Sequence, residues 1–132
     1  MRFLPLLLLL AACATPPPPC PPGTQAATML EGYFGRNSGG AEVVDDAAWA
    51  GFMDQLVTPA FPDGLTVLDA AGQWRGAAGR LARERSKLLV VAMPGATPAQ
   101  ALARIDPVIA AFRARFAQES VMVTTAGACV RF

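Results

Sequence analysis

Residues 81–92 read Leu-Ala-Arg-Glu-Arg-Ser-Lys-Leu-Leu-Val-Val-Ala, and the change of pattern inside them decides the fold class. In the first half, Arg83, Arg85 and Lys87 alternate with Glu84 and Ser86. That is the period of two that sends successive side chains to opposite faces of a strand. In the second half, Leu88-Leu89-Val90-Val91 is apolar at every position, as in a strand covered on both faces. Such a strand is central in its sheet over its second half and emerges at a wet edge or cleft over its first.

Working outward, Leu65 to Trp74 reads as the preceding strand, with Gly72 marking a bulge. Arg75-Gly76-Ala77-Ala78-Gly79-Arg80 is the flexible hairpin connection. Upstream, Phe61-Pro62-Asp63-Gly64 is a tight turn, with proline second and glycine fourth. Asp45 caps a helix whose apolar face is Trp49, Phe52, Met53 and Leu56, at i, i+3, i+4 and i+7. Thr58-Pro59 ends it, because a residue before proline avoids the helical region. Gly35 to Gly40, with Asn37 and Ser38, has loop chemistry. Ala26 to Phe34 is the first strand, with Leu30, Gly32 and Phe34 on one face and Met29, Glu31 and Tyr33 on a partly exposed one.

Downstream, Thr97-Pro98-Ala99-Gln100 starts a second helix, with a capping threonine, proline at the first helical position and a capping-box glutamine. Its apolar face is Leu102, Ile105, Ile109, Phe112 and Phe116, and Pro107 is expected to kink it. Ser120 to Thr125 is the last strand, which Cys129 to Phe132 would extend. The order β-α-β-β-α-β over residues 26–132 predicts one α+β domain of the ferredoxin-like, split-βαβ type. Two helices lie on one face of an antiparallel sheet, and the first and last strands are antiparallel neighbours.

The N-terminal segment is a targeting signal. Arg2 supplies positive charge, Phe3 to Leu10 an apolar run broken only by Pro5, and Ala11 and Ala12 the small residues of a cleavage site. The run falls short of the roughly 20 apolar residues that span a bilayer. Leu10-Ala11-Ala12-Cys13 resembles the bacterial lipobox. The resemblance implies a signal peptide over residues 1–12, cleaved to leave Cys13 first, its thiol carrying a diacylglyceryl group and its amine acylated. Multiple chains are what stable anchoring needs. The alternative is an ordinary secretory signal ending near Ala14. The absence of aspartate at position 14 leans towards the outer membrane, facing the periplasm, in a Gram-negative host.

Residues 13–25 read as a tether, since Pro16 to Pro19, Pro21 and Pro22 exclude helix and sheet. Of the three cysteines, lipidation of Cys13 leaves Cys20 and Cys129. An exported compartment permits disulfides, so these two form one bridge or remain free thiols. The strand order favours the bridge. It brings the start of the first strand, after Cys20, beside the end of the last strand, at Cys129.

Loss of residues 1–12 leaves ten basic and ten acidic residues. No basic stripe appears, which gives nucleic-acid binding no electrostatic support. The chain has no histidine, which excludes Ser-His-Asp and Cys-His catalysis and the commonest transition-metal ligand. No metal site or cofactor motif is read.

Several segments carry a resemblance. They are Tyr33-Phe34-Gly35-Arg36, Trp49 and Phe52, Thr58-Pro59-Ala60-Phe61-Pro62-Asp63-Gly64-Leu65-Thr66, Gly72-Gln73-Trp74, Arg83-Glu84-Arg85-Ser86-Lys87 and Phe116-Ala117-Gln118-Glu119-Ser120-Val121. The series resembles the bacterial domain-of-unknown-function family 3574 over roughly residues 28–132. Ala117 stands where that resemblance leads one to expect glycine. The resemblance implies exported, often lipoprotein, members, and it carries over no catalytic residue.

The polar residues that could form a site are Tyr33, Arg36, Gln73, Trp74, Arg83, Glu84, Ser86, Lys87 and Gln118. Together they would suit a small anionic or aromatic ligand. The bland alternative is a solvated strand edge with cross-strand ion pairs and a packed tryptophan. Two functional classes follow. The favoured one is a membrane-anchored envelope module that binds a small ligand, an envelope component or a second copy of itself through the sheet face. The other, by fold analogy, is a cofactor-free enzyme of the dimeric oxygenase or isomerase type. Its base would be Glu84, Glu31 or Asp69, with Tyr33 as an acid.

Overall fold

The computed structural model describes residues 19–75 and 79–132. Residues 1–18, with the signal segment, Cys13 and most of the tether, lie outside the described residues, as do 76–78 of the hairpin connection. The elements in chain order are β1 (Gln25–Gly35), β2 (Asn37–Ser38), β3 (Ala41–Glu42), α1 (Asp46–Phe52), a π-helical turn (Met53–Val57), α2 (Thr58–Ala60), β4 (Thr66–Arg75), β5 (Leu81–Pro94), α3 (Pro98–Phe116) and β6 (Met122–Val130). The chain is α+β. Its four long strands form one sheet in the order β4-β5-β1-β6, and every pairing is antiparallel.

Strand parity sorts the side chains. Leu30 and Phe34 of β1 and Leu89, Val91 and Met93 of β5 point into the core, where the helical segments cover them. The centre is aromatic. Phe34 meets Phe112 edge-on at 4.9 Å between ring centroids, and Phe112 meets Phe52 at 5.2 Å and Phe116 at 5.0 Å. α3 crosses close over β1 at Gly32, where a Cβ would stand 2.9 Å from the Phe34 ring and 3.3 Å from Ile105 Cδ1.

The first helix differs from its expected form. Asp45 does cap it, its carboxylate accepting from Ala48 N at 2.7 Å. The face of Trp49 and Phe52 then continues at buried Val57, not at Leu56, which is exposed. The π turn supplies the extra residue that rotates the register. Thr58-Pro59 does not end the helix. Thr58 keeps helical φ and ψ (−59° and −44°), Pro59 follows as the second residue of α2, and the turn stops at Phe61.

α3 has its full capping box at Thr97 and Gln100. Its buried stripe is Ala101, Ile105, Val108, Phe112 and Phe116, with Leu102 exposed. The two stripes share three residues, and the close approach over Gly32 turns the small Ala101 inward. The helix runs on through Pro107. Pro107 and Ala103 are both exposed, so the carbonyl that loses its donor can face water. Gly72 makes no bulge and pairs with Glu84 in an unbroken register. The expected loop at Gly35 to Gly40 holds the short β2–β3 hairpin.

Cys20 and Cys129 form a disulfide with Cα atoms 5.6 Å apart, closing a loop of 109 residues in sequence separation. β1 and β6 place Ala26 opposite Cys129, so the bridge fastens the segment before β1 to the end of β6. A loop of this length constrains the unfolded chain by about 4–5 kcal/mol in the chain-entropy account.

α3 ends at Ala117, the single non-glycine residue with positive φ among the described residues, at 49°. The left-handed position after a helix favours glycine, because a Cβ there crowds the carbonyl. Ala117→Gly is therefore expected to raise stability by about 0.5–1 kcal/mol. The measurement is a higher urea midpoint with an unchanged m value.

Candidate functional site

The site grows from the end of β1. Arg36 donates its backbone N–H to Arg85 O at 3.1 Å, and its own carbonyl accepts from Val43 N and Val44 N. This turn sends the side chain under the β2–β3 hairpin, where Arg36 is only 1% exposed. Nε donates to Val44 O at 2.6 Å and Nη2 to Glu42 Oε1 at 2.9 Å. Nη1 lies 3.0 Å from Asp46 Oδ1 but makes no directed hydrogen bond, so that contact is electrostatic.

Lys87, which lies opposite Phe34 in the β1–β5 ladder and two residues along from Arg85, joins the same network. Its Nζ donates to Asp69 Oδ1 at 2.6 Å and lies 3.3 Å from Asp46 Oδ1. Arg85 Nη1 stands 3.6 Å from Glu42. Three cations thus face three carboxylates. A buried cation needs such partners, since losing one leaves an uncompensated charge. The Lys87 hydrogen bond, with Arg36 and Lys87 beside it, holds the Asp46 carboxyl below its ordinary 3.8.

Beyond Ser86, β5 leaves β1 and continues to Leu81 paired with β4. An open cleft of about 560 Å³ lies at this projecting hairpin, lined by Asn37, Glu42, Ala71, Gly72, Gln73, Arg83, Glu84 and Arg85. Gln73 lies opposite Arg83, and Ala71 opposite Arg85. The glycine at position 35 leaves room for the Glu84 carboxylate, whose oxygens would lie 3.2 and 3.3 Å from a Cβ there. The cleft offers both signs of charge and two amides, a lining suited to a small polar molecule.

The other residues singled out in the sequence are dispersed. Tyr33 is on the sheet face opposite the helices, its hydroxyl donating to Glu31 Oε2 at 2.7 Å, with Thr124 Oγ1 at 3.4 Å from the same oxygen. That hydrogen bond, followed by burial and the Glu31 charge, raises the Tyr33 pKa above 10.0. Trp74 and Ser86 share this face by parity, Trp74 being 55% exposed. Gln118 Nε2 donates to Asn37 O at 3.1 Å and to Phe116 O, and Ser38 Oγ donates to Ala117 O, which ties the hairpin to the end of α3.

Of the nine residues, then, Gln73, Arg83 and Glu84 converge in the cleft. Arg36 and Lys87 are spent in the ion network beneath it. Asn37, Glu42, Asp46 and Arg85 carry geometry that the sequence reading did not use, and Asp69, read there as a candidate base, pairs with Lys87 at 2.6 Å. Arg85 alone had a signal, its alternation with Arg83 and Lys87. Among the described residues, no group of three or more His, Cys, Asp or Glu could hold a metal ion. No helix there is long and apolar enough to cross a membrane.

The family model described as "Protein of unknown function (DUF3574)" matches residues 30–132. The chain belongs to the DUF3574 family. No curated protein matches it. Among solved structures it is similar to a phage SAM lyase in complex with S-methyl-5'-thioadenosine. That likeness has a TM-score of 0.58 and 13% identity over 89% of this chain and 97% of that one. It is also similar to a phage SAM lyase in the apo state, with a TM-score of 0.55 and 14% identity over 96% of each chain. At these identities the likeness is one of fold.

Two titrations test the electrostatics of this DUF3574 domain. Asp46 stabilises the fold above its ordinary pKa, and the contribution is lost as pH falls through its lower folded value. Asp46→Asn should lower the urea midpoint at neutral pH, and the gap from wild type should close in acid as pH falls below 3.8. Tyr33 is the one tyrosine, so ultraviolet absorbance on alkaline titration reads it alone. Its midpoint should lie above 10.0 and fall in Glu31→Gln.

Proposed function

We propose that this DUF3574 protein is an exported, lipid-anchored module of the cell envelope that acts by presenting a binding surface. Its strand order, β4-β5-β1-β6 in an all-antiparallel sheet, supports the ferredoxin-like, split-βαβ reading. The observation that carries the functional reading is the sheet face left uncovered by the helices. Leu68 is 47% exposed and Met122 58%, and Leu88 and Val90 lie half-buried between them. An apolar patch of this kind marks a contact surface on a water-soluble domain.

The separation of polar groups favours binding over catalysis. Tyr33 is bonded to Glu31 on the open face, whereas Arg83 and Glu84 belong to the hairpin cleft. A second reading has its own observation. The cleft, with Gln73, Arg83, Arg85 and Glu84, fits a small polar ligand, and the fold is shared with a lyase that binds a nucleoside thioether. Should this chain be an enzyme, the Glu31–Tyr33 pair and Glu84 are the groups able to move a proton without a cofactor.

The address rests on the signal grammar of residues 1–13. With Cys20 held by its disulfide, residues 14–19 would set the domain about 20 Å from its anchor. Mass spectrometry of the membrane fraction should find an acylated N-terminal Cys13 peptide, and Cys13→Ser should release the protein into the soluble fraction. Unchanged membrane retention of that variant would refute the anchor.

A further inference from the structure

We infer that the occupant of the open sheet face is a second copy of this chain, packed sheet against sheet. The inference rests on the interaction reading above and names its partner.

The first support is the chemistry of the face. Register places Met29, Leu68, Trp74, Leu88, Val90 and Met122 on it. By the same parity the cations of β5, Arg83, Arg85 and Lys87, all point to the other side. The charges on this face are Glu31 and Glu84 alone among the four strands. A surface without cations does not suit an anionic lipid headgroup or a nucleic-acid backbone. Apolar and aromatic residues with charge kept sparse are what the centre of a protein interface holds.

The second support is area. Strands stand about 4.8 Å apart and rise about 3.3 Å per residue, so four strands of this length cover about 600 Å². Two such faces bury about 1,200 Å², the lower end of what a specific, stable interface needs. The third is that the Glu31 charge is partly compensated within its own chain, Oε2 accepting from Tyr33 at 2.7 Å with Thr124 Oγ1 3.4 Å away. Aligned sheets pack about 10 Å apart, and two identical faces meet around a two-fold axis. Gly72 and Glu84 belong both to this face by register and to the lining of the cleft, so the second copy would border the cleft's rim.

Cross-linking of the full-length protein in its own membranes tests this. Leu88→Cys lies at the middle of the face, and Arg104→Cys on the exposed side of α3 serves as the control. A flexible bis-maleimide should join Leu88→Cys to twice the monomer mass and leave the control monomeric. Adding Leu68→Glu, at an exposed position, should reduce that product at least tenfold with the melting temperature unchanged. Light scattering of the purified mature protein should read a dimer at about 100 µM, well above the micromolar upper end of the range for standard-sized interfaces. A monomer in both measurements overturns self-association. Reactivity towards a mono-maleimide then separates the two readings. If Leu88→Cys is protected in membranes but reactive when purified, the face has another occupant and the interaction reading stands. If it reacts equally in both, that reading fails too.

Discussion

The architecture around the cleft depends on burying one guanidinium. Arg36 leaves β1, passes under the β2–β3 hairpin and touches the carbonyl of Val44, the carboxylate of Glu42 and the first turn of α1 at Asp46. A cation removed from water must find partners close at hand. Those partners sit on three different elements, so satisfying one side chain fixes the hairpin, the helix start and the strand end relative to one another. Lys87 extends the constraint to β4 through Asp69. The cleft exists because the projecting β4–β5 hairpin stands against this fixed block.

That arrangement also explains what was legible in the sequence. Strands declared themselves through alternation and through the doubly apolar run of residues 88–91. Both helix starts were visible because capping is local chemistry between neighbours. The failures lie where a long-range fit chose between equivalent local options. Leu102 and Ala101 give equally good helical stripes until Ile105 is seated over Gly32. The π turn at Met53–Val57 has no period of its own, so the apolar face was followed to Leu56 where it moves to Val57. Thr58 is helical although a residue before proline usually avoids that region, and the helical path runs one turn further to Ala60.

The site was harder to read for a related reason. Arginine and lysine have the same chemistry whether they await a ligand or neutralise neighbours, and alternation cannot say which. Arg83, Arg85 and Lys87 share one side of β5, yet depth separates them. Lys87 is 8% exposed and paired, whereas Arg83 stands at the open end. The acids that decide the difference come from the hairpin, α1 and β4, distant in sequence from β5. A tyrosine two residues from a glutamate on a strand does share its face, and the Glu31–Tyr33 contact follows from that parity.

The bridge between Cys20 and Cys129 also sets how the domain bears mechanical load. A pull arriving from the N-terminal side meets a covalent fork before it reaches β1, and half of that fork is β6. β1 is an interior strand bonded along both edges, to β5 and to β6. With the fork intact, tension cannot peel β1 from its first residue, because its neighbour is drawn along with it. Reduction of the one disulfide would change the loading from a shared grip to a single frayed end, without altering a residue of the core.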